Sequence, residues 1–310
     1  MSRTRTAVTG RIRGTEAVGG LLVALASIQF GIVVVLGKLA GRSGIGVFSM
    51  LAVRFGVAGL ALALVLAAMR QTLLAVPGER WWLVALGVLG YAIESSLFFF
   101  ALQHGEAAAV TLLFFTYPVF VAVAWMALGH GTPGPKILIA LVCAMSGSIL
   151  VIAFSGRLAI STLGVVFAVG SALSFTMYLL VLDHSVRRTD PLVASLWVAA
   201  TASVALLVYA FASGSSWTTN GATTWLQITG MGLGTAGAFV CLFMGLKRLG
   251  PVRTSIVAAA EPLATTVLAW AILHEAIHPA MAVGGVLILV GAVTATLAGR
   301  PETPPEPPTP

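Results

Sequence analysis

Apolar residues run almost unbroken along this chain, and the polar ones gather in short gaps between the runs. Ten runs are long enough to cross a bilayer, at about 20 residues each. They cover 19–40, 47–69, 81–103, 107–128, 135–155, 160–182, 191–213, 223–246, 251–273 and 278–299. The gaps are short, so consecutive spans are expected as antiparallel neighbours in one compact bundle. Residues 1–18 read as a basic N-terminal segment with Arg3, Arg5, Arg11 and Arg13. The run behind them is too long for the apolar part of a signal peptide and reads as an uncleaved first span. Residues 300–310, RPETPPEPPTP, hold six prolines and are expected to form a disordered tail.

Composition fixes the class. Apolar residues make up 58% of the 310 positions and charged ones 9%, against about 25% charged in an ordinary soluble domain. Mean hydropathy is +1.02. A soluble globule cannot bury that much apolar sequence and still cover its surface with polar groups. The expected fold is therefore an all-α integral membrane bundle of ten transmembrane helices.

The net charge of +7 does not point to nucleic acid. The basic residues flank the spans, as membrane topology demands, and form no basic stripe. With the N-terminus in the cytoplasm, thirteen Lys and Arg residues fall inside and only Arg42 and Arg157 outside, with Lys38 and Arg54 within spans. That bias predicts cytoplasmic termini at both ends and a multi-pass protein of the cytoplasmic (plasma) membrane. Cys143 and Cys241 both sit inside apolar runs and offer neither a disulfide framework nor metal spacing.

The chain also resembles itself. At an offset of 144 residues Gly20 meets Gly164, Ser27 meets Ser171, Trp81 meets Trp225 and Gly90 meets Gly234. Phe99 meets Phe243, Leu102 meets Leu246, Pro118 meets Pro262 and His130 meets His274. One offset without gaps thus aligns span 1 with 6, 3 with 8 and 4 with 9. Five spans per half, 19–155 and 160–299, is an odd number, so the second half should enter the membrane upside down. Inverted five-helix repeats are typical of secondary transporters, with the substrate site near the midplane between the halves.

The second half contains GAFVCLFMGLKRLGPVRTSIVAAAEPLATTVLAWAILHEAIHPAMAVGGVLILVGA. It closely resembles the repeat of the EamA-type transporters of the drug/metabolite transporter superfamily. The likeness lies in a small-residue helix, an "LGP…S" turn, a helix with an interior Pro, a Glu at its end and a Gly-rich last helix. The first-half stretch ALQHGEAAAVTLLFFTYPVFVAVAWMALGHGTPGPKILIALVCAMSGSILVI is similar to the same repeat. It departs from it at Gly131, where the terminal Glu would stand. Arg54, in SMLAVRFGVAG, matches the arginine common in the second span of that family. The resemblance covers roughly 17–299. It implies a carrier of small metabolites, most often an exporter of amino acids or toxic compounds.

One motif argues for other chemistry. His274-Glu275-Ala276-Ile277-His278 is a literal HExxH, the pattern of many zinc proteases. Such a site needs both histidines on one face of a stable helix and a third ligand. Pro279 after the second His fits a turn instead. The offset also maps the motif onto His130-Gly131-Thr132-Pro133-Gly134, an evident loop. Glu275 stands where the family pattern has its Glu, to shape that loop or cap the last helix. No metal and no cofactor are expected, and no enzyme; a membrane-embedded zinc enzyme is the minor alternative.

Ionisable side chains near the bilayer centre cost roughly 2.5–3.5 kcal/mol each on insertion scales, so each needs a reason. Glu261 is the eleventh residue of its run, Glu94 the fourteenth and Arg54 the eighth. Arg54 and Glu94 lie at similar depth, about 10 and 13 Å from the same end at helical rise, and an ion pair between them is expected. Alternatively either one binds an end of a zwitterionic substrate or takes a proton. Glu261 precedes Pro262, and its repeat mate Tyr117 precedes Pro118. The two prolines should kink helices that face one cavity. Gln29, Tyr91, Ser95, Tyr117 and Tyr178 are further candidates for polar contacts there.

The sequence carries no Walker GxxxxGK[ST], so direct ATP drive is not indicated. The expectation is a secondary active transporter exporting small metabolites such as amino acids. Alternating access would be driven by a proton gradient or by exchange, with Glu94 and Glu261 as proton candidates. The expected partners are a small-molecule substrate (an amino acid or metabolite), the lipid bilayer and, where a proton gradient is the driver, protons. A multidrug exporter is the alternative.

Overall fold

The computed structural model describes residues 2–105, 107–154, 159–219, 221–273 and 278–298, with the backbone alone at 2–13, 107–108, 269 and 273. Ten helices are long and apolar enough to cross a membrane. They are numbered spans 1 (Gly14–Gly41), 2 (Val47–Ala68), 3 (Arg80–Gln103), 4 (Ala109–Ala127) and 5 (Pro135–Ala153). The second half supplies spans 6 (Thr162–Ser185), 7 (Pro191–Ala212), 8 (Ala222–Leu249), 9 (Pro251–Ile272) and 10 (Pro279–Leu297). Each lies within a few residues of its predicted run, except that the first helix extends back to Ser2. The Pro-rich stretch from 300 lies outside the described residues.

Local chemistry sets the ends. Pro135, Pro191, Pro251 and Pro279 each open a span, where a missing N–H costs nothing. Asp190 caps span 7 by accepting from the Leu192 N–H at 2.8 Å, and Ser161 caps span 6 by accepting from Gly164 at 3.2 Å. Gly250 takes φ +77 between spans 8 and 9, a left-handed value that a side chain would strain.

The packing corrects one expectation. Consecutive spans are mostly not each other's main partners. Span 1 packs most extensively on span 8, span 2 on span 7, span 3 on span 6 and span 5 on span 10. Spans 4 and 9 lean on spans 6 and 1 respectively. Every one of these contacts joins the two halves. Adding 144 residues to one half maps the set onto itself: 1·8 becomes 6·3, and 9·1 becomes 4·6. The two five-helix repeats are therefore interlocked around a pseudo-twofold axis.

In lipid, an apolar face gains nothing by meeting another, so close packing decides which faces join. Large apolar side chains such as Leu21, Leu60, Leu64, Leu226 and Val286 stay exposed to the surroundings of the bundle. The contact faces carry small residues. A Cβ on Gly284 would lie 2.6 Å from the Gly147 carbonyl, and one on Gly147 would lie 2.5 Å from the Gly284 carbonyl. Spans 5 and 10 therefore touch backbone to backbone.

Charge ties the N-terminal face. Arg253 Nη1 meets Glu16 Oε1 at 3.1 Å, joining the starts of spans 9 and 1, with both side chains buried. Glu79, just before span 3, accepts from the backbone N–H groups of Arg187 (3.1 Å), Arg188 (2.8 Å) and Thr189 (2.8 Å). It also accepts from the Thr189 hydroxyl at 2.6 Å. Burial alone would push the Glu79 carboxyl up; the donors from Thr189, Arg188 and Arg187 outweigh it and hold the pKa below the ordinary value.

Gly284→Val should separate spans 5 and 10 at a cost of about 1–3 kcal/mol. Thermal unfolding in detergent should then show a midpoint several degrees lower; an unchanged midpoint would mean that the backbones do not touch. For Glu79 the folded pKa is depressed, so its stabilisation is full above the unfolded value of about 4.3 and is lost as pH falls through the folded one. Wild-type melting temperature should drop below about pH 4. Glu79→Gln should melt lower at pH 7 and be flatter across the acid range. Parallel curves for the two proteins would remove Glu79 as the source.

Candidate functional site

Two spans are broken, and they are broken at matching places. In span 4 one helical segment ends at Phe114 and the next begins at Tyr117. In span 9 the first segment ends at Ala258 and the second begins at Glu261. Tyr117 and Glu261 are separated by the repeat offset of 144. The cause is Pro118 and Pro262, which supply no N–H to the carbonyl four residues back. Both breaks fall beside these two prolines.

A carbonyl freed inside a membrane must find another donor. Ala258, orphaned by Pro262, is reached by Ser27 Oγ of span 1 at 3.4 Å. Ala259 O accepts from Ser148 Oγ of span 5 at 3.3 Å. Ser255 O accepts from the Tyr117 hydroxyl at 3.4 Å. The residue at the break of span 4 thus reaches across to the break of span 9. Span 3 is irregular too: Leu86–Tyr91 form a π-helical segment, whose Gly90 carbonyl accepts from Ser174 Oγ of span 6 at 3.1 Å. Such a segment shifts the helical phase of the residues after it and sets the direction of Tyr91, Glu94 and Ser95.

These irregular stretches surround a cavity of about 890 Å³ between the halves. Six of the predicted residues line it: Arg54, Tyr91, Glu94, Ser95, Tyr117 and Glu261. Pro262 also lines it, whereas Pro118 does not. The walls are mostly apolar, with aromatic rings from Phe30, Phe98, Phe99, Phe114, Phe115 and Phe175. The cavity runs from mid-bundle to Lys38, Gly41 and Gln103, which are exposed at span ends on the face opposite the N-terminus.

Two predicted residues stand elsewhere. The Gln29 amide donates to Cys241 Sγ at 3.8 Å, against the smooth face at Gly237. Tyr178 is 1% exposed, and its hydroxyl has no hydrogen-bond partner among the described residues.

The expected Arg54–Glu94 ion pair is not formed. Each side chain instead has a neutral partner from the other half. Arg54 Nε donates to Thr235 Oγ1 at 2.8 Å, and that hydroxyl in turn donates to Met231 O at 2.8 Å. The guanidinium also lies 4.8 Å above the Phe55 ring. Glu94 accepts from Ser95 at 3.0 Å and from Ser171 of span 6 at 3.1 Å. Spans 2 and 3 touch only lightly, so similar depth does not make the two residues neighbours. Thr235 and Ser171 are site residues that the sequence reading misses. The one signal is the repeat: Ser171 is the mate of Ser27, and Thr235 is the mate of Tyr91.

Glu261 differs from both. It is half-buried on the cavity wall and accepts no hydrogen bond from the described residues. The terminal nitrogens of Arg54 likewise donate to no described protein group. The cavity therefore offers one guanidinium edge, one uncommitted carboxylate and a large aromatic wall.

Of the HExxH motif only His278 is among the described residues; 274–277 lie outside them. His278 takes φ −81 and ψ 143, an extended conformation. His278 Nδ1 caps span 10 by accepting from the Ala280 N–H at 3.2 Å, and its ring stacks on Phe154 at 4.6 Å. The expectation for Glu275 falls outside the described residues. Among the described residues no cluster of three His, Cys, Asp or Glu could hold a metal.

Comparison with known proteins agrees with this geometry. A solved crystal structure superposes with a TM-score of 0.77 at 20% identity, over 91% of this chain and 97% of that one, a likeness of fold alone. An uncharacterized transporter of Archaeoglobus fulgidus is 27% identical over 69% of this chain and 75% of its own. The Bacillus subtilis uncharacterized transporter YwfM is 26% identical over 77% and 81%. The Salmonella typhimurium uncharacterized inner membrane transporter YicL is 24% identical over 70% and 73%. The model of the EamA-like transporter family matches twice, at residues 17–153 and 162–297. With both five-helix halves matched, the chain belongs to the EamA-like transporter family and is a multi-pass membrane transporter rather than an enzyme.

Proposed function

We propose that this transporter is a secondary carrier of small zwitterionic metabolites, amino acids among them, working by alternating access around the central cavity. The observation that carries this reading is the pair of open valences in one aromatic-walled space. Arg54 presents unused N–H donors suited to a carboxylate. Glu261 presents an uncommitted carboxylate suited to an ammonium group. A cavity of about 890 Å³ falls within the range of small-molecule sites.

The charge bias of the sequence, thirteen basic residues against two, supports cytoplasmic termini and a plasma-membrane location. The word "inner membrane" in the YicL name points the same way. With that orientation the cavity faces outward, and the closed N-terminal face is cytoplasmic. Export is the direction in which metabolite and drug carriers of this type most often run. The driver is a proton gradient or substrate exchange. Glu261 is the better proton carrier of the two acids, because two hydroxyls already hold Glu94.

The multidrug reading differs in one respect: an apolar or purely cationic compound needs no guanidinium. Counterflow in proteoliposomes separates the two, using labelled amino acids beside amines that lack the carboxylate. Glu261→Gln should lose at least tenfold in counterflow of both, since an ammonium group loses a charged partner. Arg54→Gln should raise half-saturation for the amino acid about 10- to 100-fold and leave the amine unchanged. Equal loss of both with Arg54→Gln would favour a structural role for the arginine. Normal counterflow in Glu261→Gln across pH would end the proposal.

A further inference from the structure

The repeat offset allows the open side of the cavity to be read against the closed side. Ile45 and Gln103 both line the open mouth. Their repeat mates, 144 residues on, are Thr189 and Lys247. There the gap is shut, because Lys247 Nζ donates to the backbone carbonyls of Thr189 and Arg187. The loop that supplies those carbonyls is the one whose N–H groups Glu79 holds. At the open mouth the corresponding position carries Gln103, a neutral side chain exposed at the end of span 3.

The correspondence continues inward. Val34 and Phe99 line the cavity; their mates are Tyr178 and Phe243, whose rings pack together at 6.3 Å on the closed side. Tyr178 is 1% exposed and its hydroxyl lacks any partner among the described residues. A phenol left without a partner in a bundle core is costly. It becomes intelligible if another state of the protein wets it.

We propose that the second half of the permeation path runs past Tyr178, and that the contact of Lys247 with the Arg187–Thr189 loop is its closed gate. In the alternate state the cavity closes between Ile45 and Gln103 and opens between Thr189 and Lys247. The Tyr178 hydroxyl then meets water or the polar group of a passing solute. The proposal rests on the alternating-access reading above. It adds the gate and a contact residue which that reading leaves unassigned.

Cysteine accessibility tests it on the full chain in membrane vesicles of both orientations, in a Cys143→Ser/Cys241→Ser background. The probe is a membrane-impermeant maleimide, with no substrate present. Val34→Cys should react from the face opposite the N-terminus, and Tyr178→Cys should be protected. Adding Lys247→Ala removes hydrogen bonds from a charged donor. It should raise reaction of Tyr178→Cys from the N-terminal face about tenfold and lower that of Val34→Cys. Leu182→Cys, the mate of the mouth residue Lys38, carries the same expectation should Tyr178→Cys fail to fold. Reaction of Tyr178→Cys from the opposite face, or rates unmoved by Lys247→Ala, would overturn the gate. Counterflow that persists beside such unmoved rates would leave the carrier standing without this gate. Switching accessibility without counterflow of any amino acid would keep the gate and sink the substrate assignment.

Discussion

A backbone carbonyl cannot be left without a donor in hydrocarbon, and the site of this protein is organised by that constraint. Pro118 and Pro262 withdraw a donor at one matched position in each half. The freed or weakened turn of span 9 is completed from outside by Ser27, Ser148 and Tyr117, one each from spans 1, 5 and 4. Those bonds do more than satisfy a carbonyl. They fix three spans of the first half to the broken helix of the second, at the depth of Glu261.

The same constraint accounts for the hydroxyls that hold the buried charges of the cavity. Bringing Arg54 and Glu94 into contact would have neutralised both, but it would also have spent the donors and acceptors a solute needs. Instead Thr235 takes one N–H of the arginine, and Ser95 and Ser171 occupy the oxygens of Glu94. Arg54 keeps a usable edge. Each of these fixings except Ser95 crosses between the halves, so a relative movement of the halves must alter the very contacts that aim the charges. Packing through small residues at Gly147 and Gly284 leaves other faces of the same interface smooth.

Much of this is legible in the sequence, for identifiable reasons. Span number and limits follow from hydropathy because lipid permits so few backbone structures. The repeat is visible because Pro118 and Pro262 recur at one offset, and that offset predicts two breaks at equivalent positions. Six of eight candidate polar residues line the cavity because an ionisable or aromatic polar group in mid-span rarely faces lipid. What a sequence does not supply is lateral neighbourhood. Depth puts Arg54 beside Glu94, but interlocking of the halves gives Arg54 the Thr235 hydroxyl and Glu94 the Ser171 hydroxyl as partners. The π segment in span 3 has no signature beyond Gly87 and Gly90. Gln29 and Tyr178 are cavity candidates by residue type alone, and type does not say which side of a closed bundle a residue lines.

The two halves agree in backbone and differ in chemistry, and the difference is where specificity can reside. At the break, Tyr117 in one half stands against Glu261 in the other: a hydroxyl satisfied on a carbonyl against a carboxylate left open. In span 3 Tyr91 stands against Thr235, which holds Arg54. At the ends of spans 3 and 8, Gln103 stands against Lys247, which alone of the two binds its facing loop through a charged donor. A fully symmetric pair of repeats would have equal gates and a cavity with no preferred end for an ammonium or a carboxylate. Differing single residues at matched positions of the two repeats give the cavity its polarity and, under the proposed gating, one side a stronger latch, without a change in fold. In the HExxH stretch the one described residue, His278, caps span 10 and stacks on Phe154.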